Sequence, residues 1–97
     1  MAEPAPPSDK SDQKSRLMRI KVYSSSEVIF DRDAYSVSAI NQTGPFDILP
    51  GHHNFMTLLV PCELVIRDDE KTIAQRIRIN QGIMHVRSNR AVVFLDV

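Results

Sequence analysis

Residues 72–97 read TIAQRIRINQGIMHVRSNRAVVFLDV, and this stretch decides the fold. Thr72 to Ile79 has the composition of a strand, with Ile73, Ile77 and Ile79 expected inside. Asn80-Gln81-Gly82 interrupts it, and Ile83-Met84-His85-Val86 resumes the apolar pattern. Ser88-Asn89 marks a turn, and Ala91 to Val97 forms a last apolar run. Valine and isoleucine dominate these short segments. Their branched Cβ atoms fit a pleated surface better than a helix. The reading is β structure.

Working upstream, the same grammar repeats. Leu64-Val65-Ile66 runs into Arg67-Asp68-Asp69-Glu70-Lys71, a solvated hairpin connection, and Phe55 to Val60 is stopped by Pro61. Tyr35, Val37 and Ala39 alternate with Ser36 and Ser38; a period of two puts the first three on one face and the serines on the wetter one. Ile20 and Val22 alternate with Arg19 and Lys21, Ser24-Ser25-Ser26 breaks the run, and Val28-Ile29-Phe30 follows. Asp31-Arg32-Asp33 reads as a turn. No segment carries a long, capped helical period. Many short strands between turns fit a two-sheet sandwich or a small barrel, and the single inner face offered by several strands favours the sandwich.

A chain of 97 residues suits one core rather than two. Residues 1–16 are rich in Pro, Ser, Asp and Lys without an apolar period, and are expected to be a flexible tail. Residues 17–97 are expected to be the β domain. Twelve Lys and Arg balance twelve Asp and Glu, so net charge supplies no general attraction to phosphate, even if Arg76, Arg78, Arg87 and Arg90 cluster. No nucleic-acid partner is expected. Cys62 is alone, which excludes an internal disulfide or thiolate cluster. No apolar run is long enough to span a membrane as a helix.

Catalytic and cofactor chemistry is not legible. Ser24, Ser25 and Ser26 lack a nucleophile elbow, and Asp68, Asp69 and Glu70 read as a charged turn. Gly44, Gly51 and Gly82 are too dispersed for a phosphate loop. His52 and His53 are adjacent, and in an extended segment they would point apart and share no metal. No catalytic, cofactor or metal residue is therefore expected.

The interaction clue lies in residues 44–55. Gly44-Pro45 and Pro50-Gly51 punctuate a segment carrying Phe46, Ile48, Leu49 and Phe55. Those apolar side chains either pack the interior or form a binding patch; the period alone does not choose.

Gly44-Pro45-Phe46-Asp47-Ile48-Leu49-Pro50-Gly51-His52 resembles the central signature of the F-type ATP synthase epsilon subunit. Ile20-Lys21-Val22, Glu27 to Asp31, Tyr35 to Ala39, Cys62 to Ile66, Ile79 to Val86 and Ala91 to Asp96 resemble its flanking strands in the same order. The resemblance implies a ten-stranded β-sandwich, a non-catalytic central-stalk part of a proton- or sodium-translocating ATP synthase. Its implied partners are the gamma subunit and the polar loops of the c-ring. Its implied place is peripheral, on the cytoplasmic face of the membrane without insertion. Thr43, Pro45 and His52 match signature positions associated with c-ring contact, and Phe46 and Phe55 complete the set of interface candidates. Three residues depart from the pattern: Pro45 stands where an acidic residue is familiar, Asp47 replaces the usual Gly, and Cys62 begins a segment that more often starts with Gly. Family members usually continue into a helical hairpin where this chain reaches Val97, so helix-based inhibition is not assigned to it. The alternative reading is a free-standing β-sandwich interaction module outside the ATP synthase.

Overall fold

A computed structural model describes residues 17–96 and shows nine strands and no helix among them. The tail expected over residues 1–16 lies outside the described residues. The strands are β1 (Met18–Tyr23), β2 (Val28–Ala34), β3 (Ser36–Asn41), β4 (Gly44–Ile48), β5 (Phe55–Leu59), β6 (Cys62–Arg67), β7 (Ile73–Ile79), β8 (Gln81–Arg87) and β9 (Arg90–Asp96). They form a five-stranded sheet, ordered β2-β1-β9-β8-β5, and a four-stranded sheet, ordered β4-β3-β6-β7. This is the expected sandwich, with nine strands rather than ten among the described residues. Residues 49–54 take no strand: Pro50 has no N–H for a ladder, and Gly51 turns the chain at φ 82°.

The pairs are antiparallel except β1 with β9, where Ile20 faces Ala91 and Val22 faces Val93. That parallel pair brings the beginning and the end of the domain together at the centre of the larger sheet. The core lies between the sheets. Ile20 and Val22 of β1, Met84 and Val86 of β8, and Val93 of β9 face Val37, Leu64 and Ile66 of β3 and β6, all fully buried. Each such aliphatic contributes about 1.5–3 kcal/mol relative to exposure. The free thiol of Cys62 is buried in the same cluster.

Three expectations change. Asp31-Arg32-Asp33 is not a turn but the continuation of β2. The carboxylates lie opposite cations, Asp31 across from Lys21 and Asp33 across from Arg19, and Arg19 holds Asp31 at 2.9 Å. Ser36 is buried instead of wet: it opens β3 opposite Arg67 in the β3–β6 ladder, at the floor of a concavity that Asp47, Leu49 and Arg67 also line. Ile73 is 38% exposed on the edge strand β7, next to the register shift at Ile66/Arg67.

The Asp68–Lys71 connection is the turn its charges implied. Asp69 Oδ1 accepts the N–H groups of Lys71 and Thr72, both at 2.8 Å. The Lys71 N–H, followed by that of Thr72 and its hydroxyl, holds the Asp69 carboxyl below its usual pKa.

Candidate functional site

The turn of residues 49–54 begins where β4 delivers Ile48 to the core. His52 N–H donates to the Leu49 carbonyl at 3.2 Å, closing the turn. Phe55, the first residue of β5, anchors the far end of the turn. Its ring meets Phe46 edge-on at 5.7 Å between centroids and His52 at 5.5 Å. The three are half-buried, so this aromatic group braces the turn from beneath. The His52 and His53 rings are stacked at 4.4 Å, because the segment turns there and is not extended. His52 Nδ1 lies 2.7 Å from the His53 carbonyl oxygen. No cluster of three or more His, Cys, Asp or Glu able to hold a metal occurs among the described residues.

The candidate residues therefore divide. Phe46, His52 and Phe55 come together. Thr43 sits apart on the exposed β3–β4 turn, where Asn41 Oδ1 accepts its N–H at 2.9 Å. Pro45 is exposed on the edge strand β4, opposite Ile40. An edge is where a residue without an N–H does least harm. Asp47 lies opposite Ser38, whose hydroxyl donates to its carboxylate; Arg67 Nη1 donates to that hydroxyl in turn at 2.9 Å.

A larger feature lies on the outer face of the five-stranded sheet. Leu58 of β5 is opposite Ile83 of β8, Ile83 is opposite Phe94 of β9, Phe94 is opposite Tyr23 of β1, and Tyr23 is opposite Val28 of β2. Leu58 is 65% exposed, Val28 56%, Phe94 55% and Ile83 43%. Tyr23 stacks on Phe94 at 5.4 Å. This apolar row crosses all five strands, about 19 Å at ordinary strand spacing. Met56, also 65% exposed, widens it, and Gln42 and Thr43 border the concavity beside Met56, Leu58 and Ile83. Contiguous exposed apolar side chains of this kind make the row a candidate binding surface.

Sequence reasoning missed this row. Its only linear signal is that β5 and β8 are apolar on both faces, as in Phe55-Met56-Thr57-Leu58-Leu59 and Ile83-Met84. A strand open to water on one side alternates more cleanly. The four arginines expected as a possible cluster also separate. Arg76 and Arg78 lie on β7 of the smaller sheet, where Arg76 pairs with Glu63 at 2.9 Å, while Arg87 and Arg90 face each other on the larger one.

Two sheets of this order, a Pro-Gly turn braced by aromatic rings and an apolar outer face define a two-sheet β-sandwich domain. Residues 17–97 match the family described as ATP synthase, Delta/Epsilon chain, beta-sandwich domain, and the chain belongs to that family. It is 24% identical over 79 residues to the ATP synthase epsilon chain of Sulfurimonas denitrificans, covering 81% of this chain and 60% of that one. It is 29% identical over 79 residues to ATP synthase epsilon chain 2 of Paraburkholderia xenovorans, covering 80% of this chain and 56% of that one. The chain thus spans less than two thirds of these relatives. Its fold is similar to that of a chain in the Euglena gracilis mitochondrial ATP synthase, with a TM-score of 0.76 at 16% identity, covering 82% of this chain and 51% of that one. A chain in the central stalk and c-ring structure of the Tetrahymena thermophila mitochondrial ATP synthase gives a TM-score of 0.71 at 14% identity, covering 82% and 63%.

Proposed function

We propose that this domain is a non-catalytic central-stalk part of a proton- or sodium-translocating F-type ATP synthase, joining a gamma subunit to the c-ring. The observation that carries the reading is the apolar row from Leu58 to Val28 on a sheet with no covering layer among the described residues. Covering it removes several large side chains from water, each contributing on the order of 1 kcal/mol or more once half-exposed area is buried. In this reading the row docks the gamma subunit. The turn of residues 49–54, with His52 at its end and Phe46 and Phe55 beneath, meets the polar loops of the c-ring. Thr43, beside Met56 and Leu58, and Pro45, on the edge strand β4, stand away from that turn and are not needed for this contact. The groups involved bind rather than react, which is the sense of non-catalytic here. The domain is then peripheral on the cytoplasmic face, held by protein contacts.

The test is bridging. Purified c-rings in detergent are mixed with the gamma subunit of the same organism, with and without this chain, and gamma is followed by co-sedimentation. The chain should raise the gamma recovered with c-rings. Equal recovery in its presence and absence, with the chain verified as folded, would remove the coupling role.

A further inference from the structure

The outer face that carries the apolar row ends in a row of arginines. In β8, Ile83, His85 and Arg87 share this face; in β9, Phe94, Val92 and Arg90; in β1, Tyr23, Lys21 and Arg19. Register sets Arg87 opposite Arg90, and Arg90 opposite Arg19. Directly opposed like charges oppose strand pairing. Arg19 is neutralised by Asp31 at 2.9 Å and Asp33 at 3.7 Å. Arg87 and Arg90 have no acidic partner among the described residues and are both exposed. They also flank the β8–β9 turn, where Ser88 and Asn89 both hold positive φ, at 52° and 59°. This two-residue turn fixes the opposing pair in place. Two like charges closing a tight hairpin cost local stability, and local conflicts of this kind gather at functional sites.

We infer that Arg87 and Arg90 form a carboxylate-binding site, taking an Asp or Glu side chain of the protein that covers the outer face. Arg87 and Arg90 line one open concavity together with His85, Ser88 and Val92. Planar guanidinium groups suit carboxylates through paired N–H donors. The site lies four residues along the strands from Ile83 and Phe94, about 13 Å at strand rise. A partner seated on the apolar row therefore reaches it with an acidic side chain at its flank. Residues 1–16 hold three acids and three bases, so they bring no net negative charge to it. Anionic lipid is the weaker occupant, because membrane attraction relies on clusters of about four to eight cations.

The identity of the covering protein rests on the rotor reading; the arginine site is tested separately. In the first arm, the full chain at low salt is titrated with hexaglutamate and with hexaglutamine, following the side-chain Nε–H signals of Arg87 and Arg90 by NMR. Saturable shifts with hexaglutamate alone are expected, and no shift, or equal shifts with both, would overturn the site. In the second, Arg87→Gln/Arg90→Gln is compared with wild type for binding to the gamma subunit. About a tenfold loss and a flatter salt dependence are expected. The free variant should melt at an unchanged or slightly higher temperature, because the repulsion is gone. Gamma binding within twofold of wild type would overturn the inference, as would loss confined to anionic vesicle binding. If wild type binds no gamma at all, the rotor reading fails and the hexaglutamate arm alone decides the site.

Discussion

Asn89 Oδ1 accepts the backbone N–H of Gly51 at 2.9 Å, tying the β8–β9 turn to the Pro-Gly turn 38 residues earlier. The same side chain donates from Nδ2 to the Leu17 carbonyl at 2.8 Å, and the Asn89 carbonyl accepts the Arg19 N–H at 3.2 Å. One residue thus fastens three segments at one end of the sandwich. Its left-handed φ of 59° is one that Asn tolerates better than most residues.

Replacing Asn89 separates these roles. Asn89→Gly keeps the backbone freedom and loses both side-chain bonds, costing about 1–2 kcal/mol. Asn89→Ala loses the bonds and adds left-handed strain, costing roughly 1 kcal/mol more. Urea unfolding of the three proteins measures the order, and amide exchange at Gly51 should rise in both variants.

Gly82 is constrained by its neighbour rather than by its dihedral. A Cβ there would sit 2.7 Å from the Phe94 carbonyl oxygen and 3.2 Å from Leu95 Cδ2. The oxygen belongs to the β9 backbone and cannot swing away. Gly82→Ala should therefore destabilise by about 1–3 kcal/mol, measured as a lowered urea midpoint at unchanged slope.

Acid should loosen the β6–β7 turn. The Asp69 carboxyl is held below its usual range, first by the Lys71 N–H and then by Thr72. Its folded value is depressed, so its stabilisation is present above the unfolded pKa and is lost as pH falls through the folded one. A carboxyl-carbon NMR titration should place the Asp69 midpoint below those of ordinary aspartates. In Asp69→Asn the acid-side change at the Lys71 and Thr72 amides should vanish.

The sandwich is legible wherever one strand carries its own alternation. Met18 to Tyr23 announces its inner face by local spacing, whereas Ile83-Met84 is apolar on both faces and does not. The turn of residues 49–54 is legible from Pro50-Gly51, whereas Gly44-Pro45, which read equally as a turn, opens the strand β4. What escapes depends on register. Val28 and Phe94 share an outer row only because β1 pairs parallel with β9, a fact that no local window contains. Ser36 and Asp31-Arg32-Asp33 escape for the same reason. Their partners Arg67, Lys21 and Arg19 reach them across a ladder. Thr43, Pro45 and His52 stand close in sequence, yet β4 leads away from the first two before the turn that carries His52.

The central claim is that the outer face of the five-stranded sheet docks the rotor partner, and Phe94 tests it most directly. Its side chain is 55% exposed and stacked on Tyr23, so Phe94→Asp leaves the buried core untouched. Affinity for the gamma subunit of the same organism should be measured by titration calorimetry for wild type and Phe94→Asp. Far-ultraviolet circular dichroism confirms that each is folded. A one-to-one complex that weakens at least a hundredfold in the variant is the predicted result. Equal affinity for both folded proteins, or no complex with wild type, would contradict it.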